Sequence, residues 1–200
     1  MFAETMPLMT DPAHLAAELW LVRHGETEWS RAGRHTSRTD LPLTAAGEEA
    51  ARALAPRLAG VAFDTVLASP LERARRTAEL AGFGHARTDP DLAEWDYGDY
   101  EGLTTEQIRE HDPRWTIWSR PCPGGESEAA IARRLDRVVG TARAQGGRTL
   151  VFGHGHASRA LAMRWLGLSV TGGRLLILDP ATISVLGHEH ESAAVARWND

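Results

Sequence analysis

Two histidines, each placed directly behind a short apolar run, are the residues best equipped for chemistry in this chain. The first sits in "LVRHGETEWS", where Leu19 to Val22 run straight into Arg23, His24 and Gly25 with no polar approach. The second sits in "RTLVFGHGHAS", where Leu150 to Phe152 lead into His154, Gly155 and His156. A third run, "TVLASP", delivers Ser69 and, just inside the next helix, Arg73. Guanidinium forks match phosphate oxygens in bidentate geometry. A histidine beside permanent positive charge is held as neutral imidazole, the nucleophilic form. Arg23, His24, Arg73 and His154 brought together would therefore grip a dianion and present a nitrogen lone pair to its phosphorus. Gly25, lacking a Cβ, is expected to let backbone N–H groups approach the phosphoryl group. An acid for the leaving oxygen is supplied by "DLAEWDYGDYEGL". Of Glu94, Asp96, Asp99 and Glu101, Glu94 is preferred because it follows Leu92 at the end of a short extended run.

The elements that must position these residues follow from periodicity. Glu18 to Val22 reads as a strand, followed by a polar loop through Leu43 and a helix with Ala46, Ala50, Leu54 and Leu58 inward. Leu71, Ala74, Ala78 and Ala81 mark a second helix, Thr104 with Gln107 a capping-box start, and Ile131, Leu135, Val138 and Ala142 a longer helix ending near Gly146. The tail segments "RLLILD", "TISVLGHE" and "AAVARWN" read as strands joined by turns at Pro180 and His190. Alternating strand and helix predicts an α/β three-layer sandwich with a mainly parallel central sheet. In such sheets ligands bind beyond the carboxyl ends of the strands, where all three apolar runs deliver their polar residues.

Composition narrows the function further. With 200 residues and 42% hydrophobic content the chain can build one core, and residues 17–200 are read as one domain behind a leader at 1–16. The net charge of −5 argues against nucleic acid and against an anionic membrane as partners. The single Cys122 forms no intramolecular disulfide and points to a reducing, cytoplasmic setting; residues 1–16 carry neither a basic region nor a sustained apolar run, so no signal peptide or membrane span is expected. A homodimer is compatible with this composition. The His154–His156 spacing also occurs in metal sites, but "HGHASR" offers an arginine where acidic partners would be needed, so no metal is expected. His188 and His190 are read as surface residues of a turn, and the tryptophans as packing.

Taken together, "LVRHGETEW", "GRHTSRTDLPLTAAG", "ASPLERARRTA", "EWDYGDYEGL", "GGES" and "VFGHGHASRALA" resemble, in order and over about residues 18–199, the histidine phosphatase superfamily, the phosphoglycerate mutase-like group. The resemblance implies that His24 is phosphorylated, that Arg23, Arg73 and His154 hold the transferring group, and that Glu94 donates the proton. It places Gly25, Ser30, Thr36, Ser37, Tyr97, Gly155 and His156 in contact with phosphate or substrate, with no cofactor. Mutases of this group carry asparagine at the positions of Ser30 and His156 and a longer insert after "YG" with a basic cluster. Here that insert is compact, which favours the phosphatase branch: a phosphomonoesterase on small phosphorylated metabolites, of the broad-specificity acid phosphatase or sugar-bisphosphate phosphatase kind. Cofactor-dependent phosphoglycerate mutase and a non-catalytic phospho-ligand module are the alternatives. Arg38, Arg159 and Trp95 are candidates for shaping the leaving-group pocket.

Overall fold

The computed structural model describes residues 17–200, so the expected leader lies outside the described residues. Among the described residues six strands form one sheet: β1 (Glu18–Arg23), β2 (Thr65–Ala68), β3 (Arg87–Thr88), β4 (Arg148–Gly153), β5 (Ile183–Glu189) and β6 (Ser192–Arg197), ordered β3-β2-β4-β1-β5-β6. β1, β2, β3 and β4 run parallel, and β5 and β6 add an antiparallel hairpin beside β1. The helices are α1 (Glu28–Arg31), α2 (Ala45–Leu58), α3 (Glu72–Leu80), α4 (Thr105–His111), α5 (Glu128–Gln145) and α6 (Gly155–Trp165).

Side chains alternate across a strand, so the central strands must be apolar on both faces when both are covered. Leu19 and Leu21 of β1, with Val151 of β4, pack under α5 and α6; Val22, Leu150 and Phe152 pack on the opposite face under α2 and α3. This is the three-layer sandwich expected. The long helix keeps its expected face, with Ile131, Leu135, Val138 and Ala142 buried and Gly146 at φ +65° ending it. Its start is fixed by Ser127, whose side chain accepts from the Ala130 N–H. Among the described residues no helix is long and apolar enough to cross a membrane.

Local differences from expectation have identifiable causes. The buried line of α2 is Gly47, Ala51, Leu54 and Leu58, leaving Ala46 and Ala50 exposed. The helix is rotated because Gly47 lies against the backbone of Glu26, at a distance that admits no Cβ. The expected loop through Leu43 contains α1, started by a capping box in which the Thr27 and Ser30 side chains each accept the other's backbone N–H. "RLLILD" is not a strand: the position beside β1 is filled by β5, and the segment pairs with no strand of the sheet. It forms a 3₁₀ turn (Val170–Leu175) and then an irregular run that exposes Leu175 and Ile177. His188 is half-buried, its ring 5.4 Å from that of Trp165, while His190 is exposed at the hairpin turn with φ +52°.

Candidate active site

The carboxyl ends of β1, β2 and β4 meet at one point because the parallel ladders continue past the strands. The His24 N–H donates to Gly153 O (2.9 Å) and the Ser69 N–H to Phe152 O (2.9 Å). With Arg23 paired to Gly153, the next residues, His24 and His154, come abreast, and their ring centroids are 5.2 Å apart. His154 Nε2 lies 2.7 Å from Ser69 Oγ. Both imidazoles are buried, and both have their pKa pushed well below the usual histidine value, by burial first and then by the Arg73 charge. His24 Nδ1 is 2.7 Å from Gly25 O. A carbonyl only accepts, so in the neutral ring Nδ1 carries the proton and Nε2 the lone pair.

Arg73 is fully buried, with its Nη atoms donating to the carbonyls of Thr36, Ser37 and Thr39 and lying 3.6 Å from the Asp40 carboxylate. Arg23 donates to Leu178 O. Burial lowers the pKa of both guanidinium groups, and the Glu94 charge opposes that fall. Arg23 Nε, Arg73 Nε and His154 Nδ1 are buried and have no hydrogen-bond partner among the described residues. Buried polar atoms are normally satisfied, so three without a partner on side chains that act electrostatically on one another fit an anion-binding cradle beside the pocket that Arg23 and His24 line.

Glu94 reaches the same place from the opposite side. Its Oε1 accepts from the N–H groups of Trp95 (2.8 Å) and Ala157 (2.7 Å), and its Oε2 from that of His156 (3.1 Å), which anchors it on the N-terminus of α6. The competing acids are committed elsewhere. Glu101 accepts from Ser37 and Thr39, Asp96 pairs with Arg38, and Asp99 is exposed.

The pocket is lined by Arg23, His24, Glu94 and Gly155, together with Ser30, Thr36, Tyr97 and His156. Tyr97 OH and His156 Nδ1 are hydrogen-bonded at 2.7 Å, so the two histidines of "HGH" turn to different partners. Ser30 lines the wall with its hydroxyl engaged by Thr27, its Oγ accepting from the Thr27 N–H and donating to Thr27 O. Ser37 is not brought to the pocket: its hydroxyl donates to Glu101, and its carbonyl serves Arg73. Gly25 also departs from expectation, because its N–H donates to Thr77 Oγ1 (3.0 Å) and is not presented to a ligand. What requires glycine there is packing, since a Cβ would stand 2.4 Å from Gly47 O.

Of the leaving-group candidates, Arg159 lines the pocket, its guanidinium 4.8 Å over the Trp118 ring. Trp95 is core, its Nε1–H donating to Glu126 O, and Arg38 is drawn to Asp96 at the surface. Cys122 is buried in its loop, with burial pushing its thiol up to about 12.

Sequence reasoning missed His35, Gly47, Thr77 and Arg134. His35 lines the pocket with its ring 4.8 Å from that of Tyr97, and burial lowers its pKa to about 4. Thr77 lies one helical turn beyond Arg73, a spacing that could have flagged it as a companion on the same face.

Comparison with known proteins identifies the family and its fold. The family model for the histidine phosphatase superfamily (branch 1) matches residues 19–200. The chain is similar to an acid phosphatase of Mycobacterium tuberculosis, 43% identical over 176 residues, covering 86% of this chain and 87% of that protein. It is similar to a sedoheptulose 1,7-bisphosphatase of Saccharomyces cerevisiae, 37% identical over 185 residues, covering 75% and 68%. A solved structure of an M. tuberculosis open reading frame superposes with TM-score 0.87 at 40% identity, covering 92% of this chain and 97% of that one. With its ordered motifs on this sheet and a family match across nearly all described residues, the chain belongs to the histidine phosphatase superfamily, branch 1.

Proposed function

We propose that the protein is a metal-independent phosphomonoesterase acting through a phosphohistidine on small phosphorylated metabolites. One observation carries this reading: a neutral, buried His24, its ring 5.2 Å from that of His154 and under the charges of Arg73 and Arg23, shares its surroundings with three buried nitrogens that have no partner among the described residues, Arg23 Nε, Arg73 Nε and His154 Nδ1. In this reading the Ser69 hydroxyl donates to His154 Nε2, with which it shares a 2.7 Å hydrogen bond, so that the imidazole proton sits on Nδ1 and is offered to a phosphoryl oxygen. Phosphoryl transfer asks a protein chiefly to position reactants and neutralise charge, and a rigid cradle of this kind supplies both.

In the first half-reaction His24 Nε2 forms a bond to phosphorus as the ester P–O bond breaks, and Glu94, entering protonated, gives its proton to the departing oxygen. In the second, the Glu94 carboxylate takes a proton from water, the hydroxide oxygen bonds to phosphorus, and the N–P bond breaks. Inorganic phosphate and neutral His24 remain. Hydrolysis is favoured over transfer to a sugar acid because the stretch after Tyr97 is short and lacks a basic cluster, and because a serine and a histidine occupy the positions where mutases carry asparagine. The similarity to an acid phosphatase and a sugar bisphosphatase supports a small ester or sugar phosphate as substrate. A reducing, cytoplasmic setting is supported by the lone, buried Cys122.

The test is hydrolysis of p-nitrophenyl phosphate with and without EDTA, alongside trapping of labelled phosphoenzyme. Activity is expected to survive chelation, and His24→Ala to lose both the acid-labile phosphoenzyme and at least about a thousandfold in rate. Activity removed by EDTA, or faster turnover in a phosphoglycerate mutase assay, would overturn the reading.

A further inference from the structure

The loop carrying Glu94 is irregular, and its hold on the carboxylate comes from outside the pocket. Arg134 of α5 donates from Nη1 to Asp91 O (2.6 Å) and Ala93 O (2.8 Å) and from Nη2 to Glu94 O (3.3 Å). The same guanidinium makes a two-pronged pair with Glu126, from Nε (2.8 Å) and from Nη2 (2.8 Å). Glu126 in turn fastens the other end of the loop: its carbonyl accepts from Trp95 Nε1–H (2.9 Å) and its N–H donates to Asp96 O (2.9 Å). Five of the guanidinium's polar contacts therefore converge on one carboxylate and one stretch of backbone, with both side chains largely buried, 11% and 15% exposed. Neither residue lines the pocket that holds His24.

We propose that Arg134 and Glu126 are positioning residues for proton donation: together they fix the backbone of residues 91–96, so that the Glu94 carboxyl is held at the leaving oxygen. Three carbonyls held by one planar fork define the loop's orientation in a way that separate lysine or water contacts would not. The remaining anchors of Glu94 are the N–H groups of Trp95, His156 and Ala157, and those hold the carboxylate only while the loop stays in place. A displacement of the order of 1 Å in a catalytic group is enough to cost about a hundredfold in rate. The inference rests on Glu94 being the acid.

The readout is leaving-group dependence, which a general loss of structure does not change. Nitrophenolate departs without much help from an acid, whereas an alkoxide needs the proton. Measured as kcat/KM on p-nitrophenyl phosphate and on β-glycerophosphate, Arg134→Lys and Glu126→Gln are each expected to lose about tenfold or more on the alkyl ester beyond their loss on the aryl ester. Rates are normalised to the folded fraction by circular dichroism, and the milder Glu126→Gln variant keeps the test alive if Arg134→Lys folds poorly. Glu94→Gln serves as the reference and is expected to show the same selective loss. If it does and the two other variants lose equally on both esters, or on neither, the positioning role is wrong. If Glu94→Gln itself loses equally on both, the acid is another group and the proposal falls with that assignment.

Discussion

At the scale of single residues, the decisive property is which nitrogen of each histidine carries a proton. His24 is set by Gly25 O, His154 is oriented by its hydrogen bond to Ser69, and both rings are kept neutral by burial and by Arg73. Ser69→Ala removes the hydrogen-bond partner of His154 Nε2, leaving the ring free to turn. The expected result is a fall in kcat/KM of roughly tenfold, equivalent to ~1.4 kcal/mol of lost orientation, together with a lower melting temperature, because the buried His154 Nε2 is left unpaired at a cost of about 1–3 kcal/mol. Steady-state kinetics beside a thermal melt checks this; an unchanged kcat/KM would mean that Ser69 plays no part in holding the ring. A single Arg-His pair behind an apolar run is most often an ordinary charged loop, and the site is suggested by the sequence only because several such segments recur in one order along the chain. Among the four acids the sequence already favours Glu94, and the contacts agree with that choice: its carboxylate is held by the N-terminus of α6, while Glu101 and Asp96 have other partners and Asp99 is exposed.

At the scale of elements, the site depends on where β1 ends and how closely α2 approaches it. Gly25 and Gly47 lie back to back: a Cβ on Gly25 would stand 2.4 Å from Gly47 O, and one on Gly47 would stand 2.2 Å from Glu26 O. Gly25→Ala is therefore expected to destabilise the fold by about 1–3 kcal/mol, the range for forcing extra atoms into a packed interior, and to lower activity by displacing His24. Urea denaturation and turnover on the same preparation test both halves; a variant of wild-type stability would show that the two segments part freely. The face of α2 was misread because alanine is apolar enough to pass for core anywhere on a helix, and only the contact with the Glu26 backbone determines which side turns inward. "RLLILD" was misread for a related reason. Its apolar pattern suits a strand, but the position beside β1 is filled by β5 and the segment pairs with no strand of the sheet.

At the scale of the whole molecule, the assembled site places a pH dependence on the fold. His24, His154 and His156 are held well below their usual pKa by burial, and His35 at about 4. Their folded values lie below their unfolded values, so the unfolded chain binds more protons as pH falls beneath about 6.5. Stability is thus complete above that pH and declines on acidification, with the His35 share lost between about 6.5 and about 4. Urea midpoints at several pH values should fall as the medium becomes acidic, and His35→Phe should flatten the slope; a midpoint that rises on acidification would contradict the assignment. The sequence by itself determined the three-layer architecture and the nature of the chemistry, because periodicity follows from backbone geometry and because few side chains can grip a phosphoryl group. Only the tertiary structure decided what holds the Glu94 carboxylate, which glycine contacts are steric, and that Arg134 and Glu126 bind the backbone of the Glu94 loop. Each of those depends on register and on segments far apart in the chain, and no local pattern of residues encodes a distance between two strands until the sheet has formed.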